Sequence, residues 1–363
     1  MINVTKPFLP PRAEFDKLVD GIWERAWLTN QGPLVTKLET SLEKYLGVNN
    51  FLFTNNGTIP LQIAYQALDL KGEVITTPFS YVATASSIVW EKCTPVFVDI
   101  DEATFNIDPK LIEAAITEKT TGIVATHVFG NPCDIQAIDA IAEKHNLKVV
   151  YDAAHCFGTK YKGESVLNFG DVSTISFHAT KLFHTTEGGG AVVKSENILY
   201  RMSQMRNFGH TGPYSFDCVG INGKNSELHA AMGLCNLKYI DNIIEARKKQ
   251  YLKYKENLKT LPIKFQHLQV EDNEYNYAYF PILLPSEDIL LKVIDELNGQ
   301  YVNPRRYFYP SLNTISYVEN VPCPVSERTS CRVLCLPLFH DLSGSTIDMI
   351  TNTIIKTFKF KKE

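Results

Sequence analysis

No run of about 18 apolar residues occurs in this 363-residue chain, so no transmembrane helix is expected. The opening, Met1 to Pro7, lacks a basic segment leading into an apolar one. No secretory signal is therefore expected, and the cytoplasm is the expected location. An excess of one charge is missing too: 36 Lys and Arg stand against 40 Asp and Glu, a net charge of −4. That balance excludes the basic footprint of a nucleic-acid binder and the polybasic patch of a membrane-surface protein. The one locally basic stretch, Lys356 to Glu363, reads as a solvated terminus. The eight cysteines are scattered with no Cys-x-x-Cys pair, which points to free thiols in a reducing compartment. The nine histidines include no His-Glu-x-x-His, so no metal site is expected. No Gly-x-Gly-x-x-Gly follows a first strand, which argues against a nicotinamide-dependent oxidoreductase. Internal repeats and low-complexity segments are absent as well.

What is present is an alternation of strand and helix patterns. Leu38, Leu42 and Leu46 recur every fourth residue and predict a helix over 36–46. Further helices are predicted over 59–68, 82–92, 110–116 and 134–146, the one over 110–116 started by the Asp108-Pro109 pair. Strands are predicted over 73–77, 95–100, 122–128, 148–152, 172–177 and 191–194. Strands separated by such helices predict an α/β protein with a mostly parallel sheet. A charged amphipathic stretch from Glu245 onward suggests a change of domain. The expected layout is an extended N-terminal segment over 1–30, a large domain over 31–244 and a small α+β domain over 245–363. The small domain is expected to hold a strand over 279–284 and a helix over 289–297.

One constellation carries chemistry. Asp152 ends a Val-rich strand, and Lys181 follows it by 29 residues, just after a second strand that ends in Ser176. A lysine amine that can form a Schiff base, and a carboxylate that can keep a pyridine nitrogen protonated, are the two groups pyridoxal 5'-phosphate needs. Gly57, Thr58 and Ile59 open a predicted helix, where exposed N–H groups and the helix dipole favour a phosphate. Ser176 offers a second hydroxyl for the same anion. His155, three residues after Asp152, is a candidate partner for the cofactor's phenolic oxygen, and Tyr81 is a candidate to stack on its ring. Burial and the cofactor are expected to lower the Lys181 pKa, making it a nucleophile and then a general base.

These motifs resemble the DegT/DnrJ-type sugar aminotransferases, which are fold type I pyridoxal-phosphate enzymes. The resemblance runs through Trp27 to Pro33, Thr54 to Thr58, Thr77 to Thr84, Thr126 to Gly130, Asp152 to His155, Gly170-Asp171, Ser176 to Lys181 and Glu187 to Gly189. It implies a homodimer with shared active sites, in which Asn222 reaches the phosphate of the partner subunit. His155 stands where many members carry Gln, and Lys224 where many carry Arg. Relatives that dehydrate sugars carry His at the lysine position, so Lys181 favours amino transfer. The implied reaction moves an amino group from glutamate to a nucleotide-linked keto-6-deoxyhexose, for surface-polysaccharide or O-antigen building blocks. C4 of dTDP-4-keto-6-deoxyglucose is favoured over C3 of a dTDP-3-keto-6-deoxyhexose. A non-catalytic, cofactor-binding regulatory member is the rival from another class. Trp27, Thr29, Asn30, His184, Arg305, Arg306 and Tyr307 are the candidate contacts for the dTDP-sugar and the donor carboxylate, the arginines by bidentate hydrogen bonding.

Overall fold

A computed structural model describes residues 1–359, so the end of the basic tail lies outside the described residues. Seven strands form the central sheet: β1 (Phe51–Thr54), β2 (Glu73–Thr76), β3 (Thr94–Phe97), β4 (Thr120–Thr126), β5 (Lys148–Asp152), β6 (Val172–Ser176) and β7 (Gly189–Val193). Their order is β1-β7-β6-β5-β4-β2-β3. All neighbours are parallel except β7, which runs antiparallel between β1 and β6. The protein is thus α/β with a mostly parallel sheet, as the alternating pattern predicts. Its strands are rich in Val, Ile and Thr and almost wholly buried, which suits a sheet covered on both faces.

The helices used below are α1 (Arg12–Arg25), α2 (Pro33–Leu46), α3 (Ile59–Ala67), α4 (Val82–Trp90), α5 (Ile135–His145), α6 (Glu227–Leu237), α7 (Ile240–Leu258), α8 (Glu287–Gly299) and α9 (Gly344–Lys359). In α2 the predicted leucine stripe is buried together with Leu34 and Val35, and Gly47 ends the helix at φ 65°. Its N-terminus is capped from far along the chain. The fully buried Glu227 accepts hydrogen bonds at 2.9 Å from the N–H groups of Leu34 and Val35. A carboxylate there satisfies two orphan donors and faces the positive end of the helix. Gly32 makes room for it: a Cβ on Gly32 would lie 2.5 Å from Glu227 Cδ.

Two large apolar clusters share α7. Ile240 and Ile243 belong to the cluster that includes Leu38, Leu42 and Phe177, whereas Tyr251, Tyr254 and Leu258 belong to one built with α8, α9 and the strand Phe280–Leu283. That strand is the centre of a three-stranded antiparallel sheet with Lys264–Phe265 and Val333–Leu336. α7 thus carries the chain from one core to the other.

The N-terminal segment departs from its expected extended form. Ile2–Asn3 pairs in parallel with Val302–Asn303, but residues 12–25 form α1. Phe15, Leu18 and Ile22 lie on one face of α1, against the first core. Pro10 and Pro11 confine the extended stretch to the residues before the helix.

Candidate active site

Parallel strands end at one edge of a sheet, and the chemistry-bearing residues gather there. β5 delivers Asp152, β6 delivers Ser176, and the turn after β1 delivers Asn56, Gly57 and Thr58. The loop after β2 delivers Ser80 and Tyr81. These residues line a cleft of about 250 Å³ together with His155, Lys181, Arg305, Tyr307 and Phe308.

Lys181 sits in the loop between β6 and β7. That loop is closed at its neck by Phe177 N–H donating to Gly188 O at 2.7 Å. Desolvation pushes the Lys181 pKa down from 10.5 to about 8; Asp152 opposes that shift and Arg305 adds to it. Lys181 as a whole residue is only partly buried. Asp152 is buried, and burial raises its pKa; hydrogen bonds from Thr84 and Ala154, and the charge of Lys181, pull the other way. Thr84 Oγ1 donates to Asp152 Oδ2 at 2.6 Å, and the Ala154 N–H donates to Oδ1 at 3.1 Å.

His155 is buried, and desolvation holds its pKa well below the usual histidine value, so the ring is neutral. Nε2 lies 3.4 Å from the Tyr307 hydroxyl, while Nδ1 has no partner. Asn276 fixes this stretch by donating to the carbonyls of His155 and Phe157.

At the start of α3 the N–H groups of Thr58 and Ile59 both donate to Asn56 Oδ1, at 2.8 and 2.9 Å. A phosphate oxygen would receive these two donors by displacing Asn56 Oδ1. Gly57 lies directly against Ser176: a Cβ on Gly57 would fall 2.8 Å from Ser176 Cβ and 3.2 Å from its Oγ. Cradle, carboxylate and amine share one cleft with an unpartnered imidazole nitrogen, and this donor set fits pyridoxal phosphate. Among the described residues no three His, Cys, Asp or Glu side chains gather as metal ligands would, and no helix is long and apolar enough to cross a membrane.

Arg305 also faces this cleft. Its guanidinium lies 4.4 Å from the Tyr307 ring centroid and, among the described residues, makes no ion pair with a carboxylate. Tyr81 is half exposed, its ring 6.3 Å from that of Tyr307.

Other sequence candidates fall elsewhere. His184 is buried, with Nε2 on the Phe8 carbonyl at 2.8 Å and Nδ1 accepting from the Thr186 N–H at 3.2 Å. It ties down the N-terminal segment and has no free nitrogen for a substrate. Arg306 points away from the cleft, bonded to Glu287 at 2.5 Å and stacked on Tyr309 at 3.5 Å. Trp27 donates to the Thr29 carbonyl at 2.6 Å, outside this chain's cleft. Asn30 borders a separate hollow with Arg206, Asn207 and Lys224. Asn222 is exposed, with its carbonyl bonded to Asn55. Sequence reasoning assigned no role to Asn56, Ser80, Thr84 or Thr126, although each lies inside a motif it singled out.

Comparison with known proteins agrees with this geometry. Residues 11–355 match the DegT/DnrJ/EryC1/StrS aminotransferase family. A dTDP-4-amino-4,6-dideoxy-D-glucose transaminase of Shigella dysenteriae is 44% identical over 97% of this chain and 98% of its own length. The Escherichia coli protein of the same name is 38% identical over 98% of each chain. The crystal structure of DesI in the presence of its TDP-sugar product superposes with a TM-score of 0.93, at 30% identity, covering 99% of this chain and 94% of that one. This chain therefore belongs to the DegT/DnrJ/EryC1/StrS aminotransferase family.

Proposed function

We propose that this chain is a cytoplasmic, pyridoxal-phosphate-dependent transaminase that moves an amino group from glutamate to C4 of dTDP-4-keto-6-deoxyglucose. The observation that carries the chemistry is Lys181 in one cleft with Asp152 and the Gly57–Ser176 cradle. The choice of sugar rests on the two relatives that bear that name at 44% and 38% identity.

Bound in the cleft, pyridoxal phosphate supplies an aldehyde for an amine and a ring that accepts electrons. The backbone at Gly57, Thr58 and Ile59, with the Ser176 hydroxyl, holds the phosphate. Asp152 would serve as the anionic partner of the ring nitrogen. Tyr81, half exposed at the cleft, would cover one face of the ring, and His155 would offer its unpartnered Nδ1 to the phenolic oxygen. Lys181, its pKa drawn down to about 8 by burial, gives up its proton more readily than an ordinary lysine and would take a proton from the donor carbon and return one to the acceptor carbon. Arg305, without a carboxylate partner, receives an anionic group of the donor or the dTDP-sugar.

The active assembly in this reading is a homodimer. Phe208, Tyr214, Phe216, Val219 and Ile221 are exposed around Asn222, an apolar concentration that favours contact with a second copy. Across that contact Asn222 joins the partner's phosphate site, and Trp27, Thr29 and Asn30 lie on the same chain's contribution to substrate binding.

The test is a product assay with purified protein, glutamate and dTDP-4-keto-6-deoxyglucose, read by NMR. An amine at C4 is expected, with no product from Lys181→Ala. An amine appearing only with a 3-keto substrate would overturn the choice of ring carbon, and turnover by Lys181→Ala would overturn the mechanism.

A further inference from the structure

Three buried hydroxyls stand behind Asp152, and the proposed function assigns them nothing. Thr126 Oγ1 donates to Ser80 Oγ at 3.0 Å. Ser80 Oγ lies 2.7 Å from Thr84 Oγ1, which donates to Asp152 Oδ2 at 2.6 Å. A hydroxyl has one proton, so the direction of the chain is fixed from its end: Thr84 gives its proton to the carboxylate, and Ser80 must therefore donate to Thr84. Thr126 then donates to Ser80, and every bond points toward Asp152. All three side chains are buried. Aligned hydrogen bonds in such surroundings polarise one another and strengthen the last of them.

The chain joins three elements. Thr126 closes β4 and is the register partner of Asp152 on β5. Ser80 and Thr84 flank Tyr81 at the start of α4. One short segment therefore presents both the ring-stacking tyrosine and the donor to Asp152. With Thr84 on Oδ2 and the Ala154 N–H on Oδ1, the carboxylate is gripped at both oxygens.

We propose that Ser80, Thr84 and Thr126 form a positioning chain that holds the Asp152 carboxylate in place as the anionic partner of the cofactor's ring nitrogen. The proposal rests on the reading that this cleft binds pyridoxal phosphate. Lys181 is the charged group facing Asp152, and burial is the force the chain works against. An isosteric Thr84→Val leaves the carboxylate without its donor and the Ser80 proton without its acceptor.

The experiment measures pyridoxal phosphate affinity and the visible absorbance of the bound cofactor in wild type, Thr84→Val, Thr84→Ser and Ser80→Ala. A hydrogen bond to a charged group predicts binding about tenfold to a hundredfold weaker in Thr84→Val, with an altered spectrum. Thr84→Ser restores both, because it returns the hydroxyl. Ser80→Ala gives a smaller change of the same sign, since it removes only the bond behind Thr84, and it supplies the test if Thr84→Val does not fold. Wild-type affinity and spectrum in both Thr84→Val and Ser80→Ala overturn the inference, as does a Thr84→Ser variant no better than Thr84→Val. Failure of the wild type to take up the cofactor is a different result and overturns the functional reading itself.

Discussion

Replacing Lys181 with methionine removes a charge while keeping an unbranched side chain of similar reach. In the cofactor-free protein the Lys181 pKa is depressed from 10.5 to about 8, chiefly by desolvation. That depression corresponds to a penalty of about 3 kcal/mol on the charged form in the folded state. Below pH 8 the residue is charged whether the chain is folded or not, and the penalty is felt in full. Between pH 8 and 10.5 the unfolded chain binds more protons than the folded one, so wild-type stability rises with pH across that window. Above 10.5 the penalty is gone. Lys181→Met is neutral throughout, so at pH 7 the cofactor-free variant is expected to be more stable than wild type. The attraction to Asp152 is already contained in that net shift, and partial exposure of the residue reduces the gain, so about 3 kcal/mol is a ceiling. Urea unfolding of cofactor-free wild type and variant, at one protein concentration and at pH 7 and 10, reads the difference directly. The argument is refuted if the variant is less stable at pH 7, or if its advantage does not shrink at pH 10.

Two further outcomes follow from geometry. Glu227→Gln replaces one of two accepting oxygens at the start of α2 with a donor, leaving an N–H of Leu34 or Val35 unpaired, at about 1–3 kcal/mol by urea unfolding; Gly32→Ala displaces the same carboxylate, so the double variant loses less than the sum of the two. Arg305→Met is expected to raise KM for at least one anionic substrate by about tenfold or more while cofactor affinity stays at the wild-type level; unchanged KM values for both glutamate and the dTDP-sugar would remove Arg305 from substrate binding.

The parts of the site written as local patterns were readable in sequence. Asp152 and Ser176 close apolar β-branched runs, and Gly57-Thr58 opens a helix, so strand ends and a helix start announced themselves. Arg305 and Arg306 could not be separated that way. Arg305 is in a bridge with Cys335, and in extended backbone neighbouring side chains point to opposite sides, which sends one arginine to the cleft and the other to Glu287. His184 stood beside the lysine in sequence, but its loop turns it inward onto Phe8. The hydroxyl chain was invisible because Ser80, Thr84 and Thr126 meet only through the pairing of β4 with β5 and the placement of α4. α1 was missed although Phe15, Leu18 and Ile22 carry helical spacing, because the prolines before it dominated the reading.

The closed neck of the Lys181 loop has a consequence for what the cleft can admit. Gly189 pairs with Thr54 on one side and with Ser176 on the other, and a Cβ on it would lie 2.4 Å from the Asn56 carbonyl. The root of the lysine loop and the turn proposed to cradle the phosphate are thus built from the same three adjacent strands. Sheet register thus fixes the spacing between the root of that loop and the turn, and a cofactor analogue with a longer or shorter bridge between phosphate and aldehyde is expected to bind more weakly. Arg305 and Tyr307 sit outside those strands. A change at Arg305 therefore leaves that spacing as it is, because the guanidinium takes no part in the strand pairing that sets it.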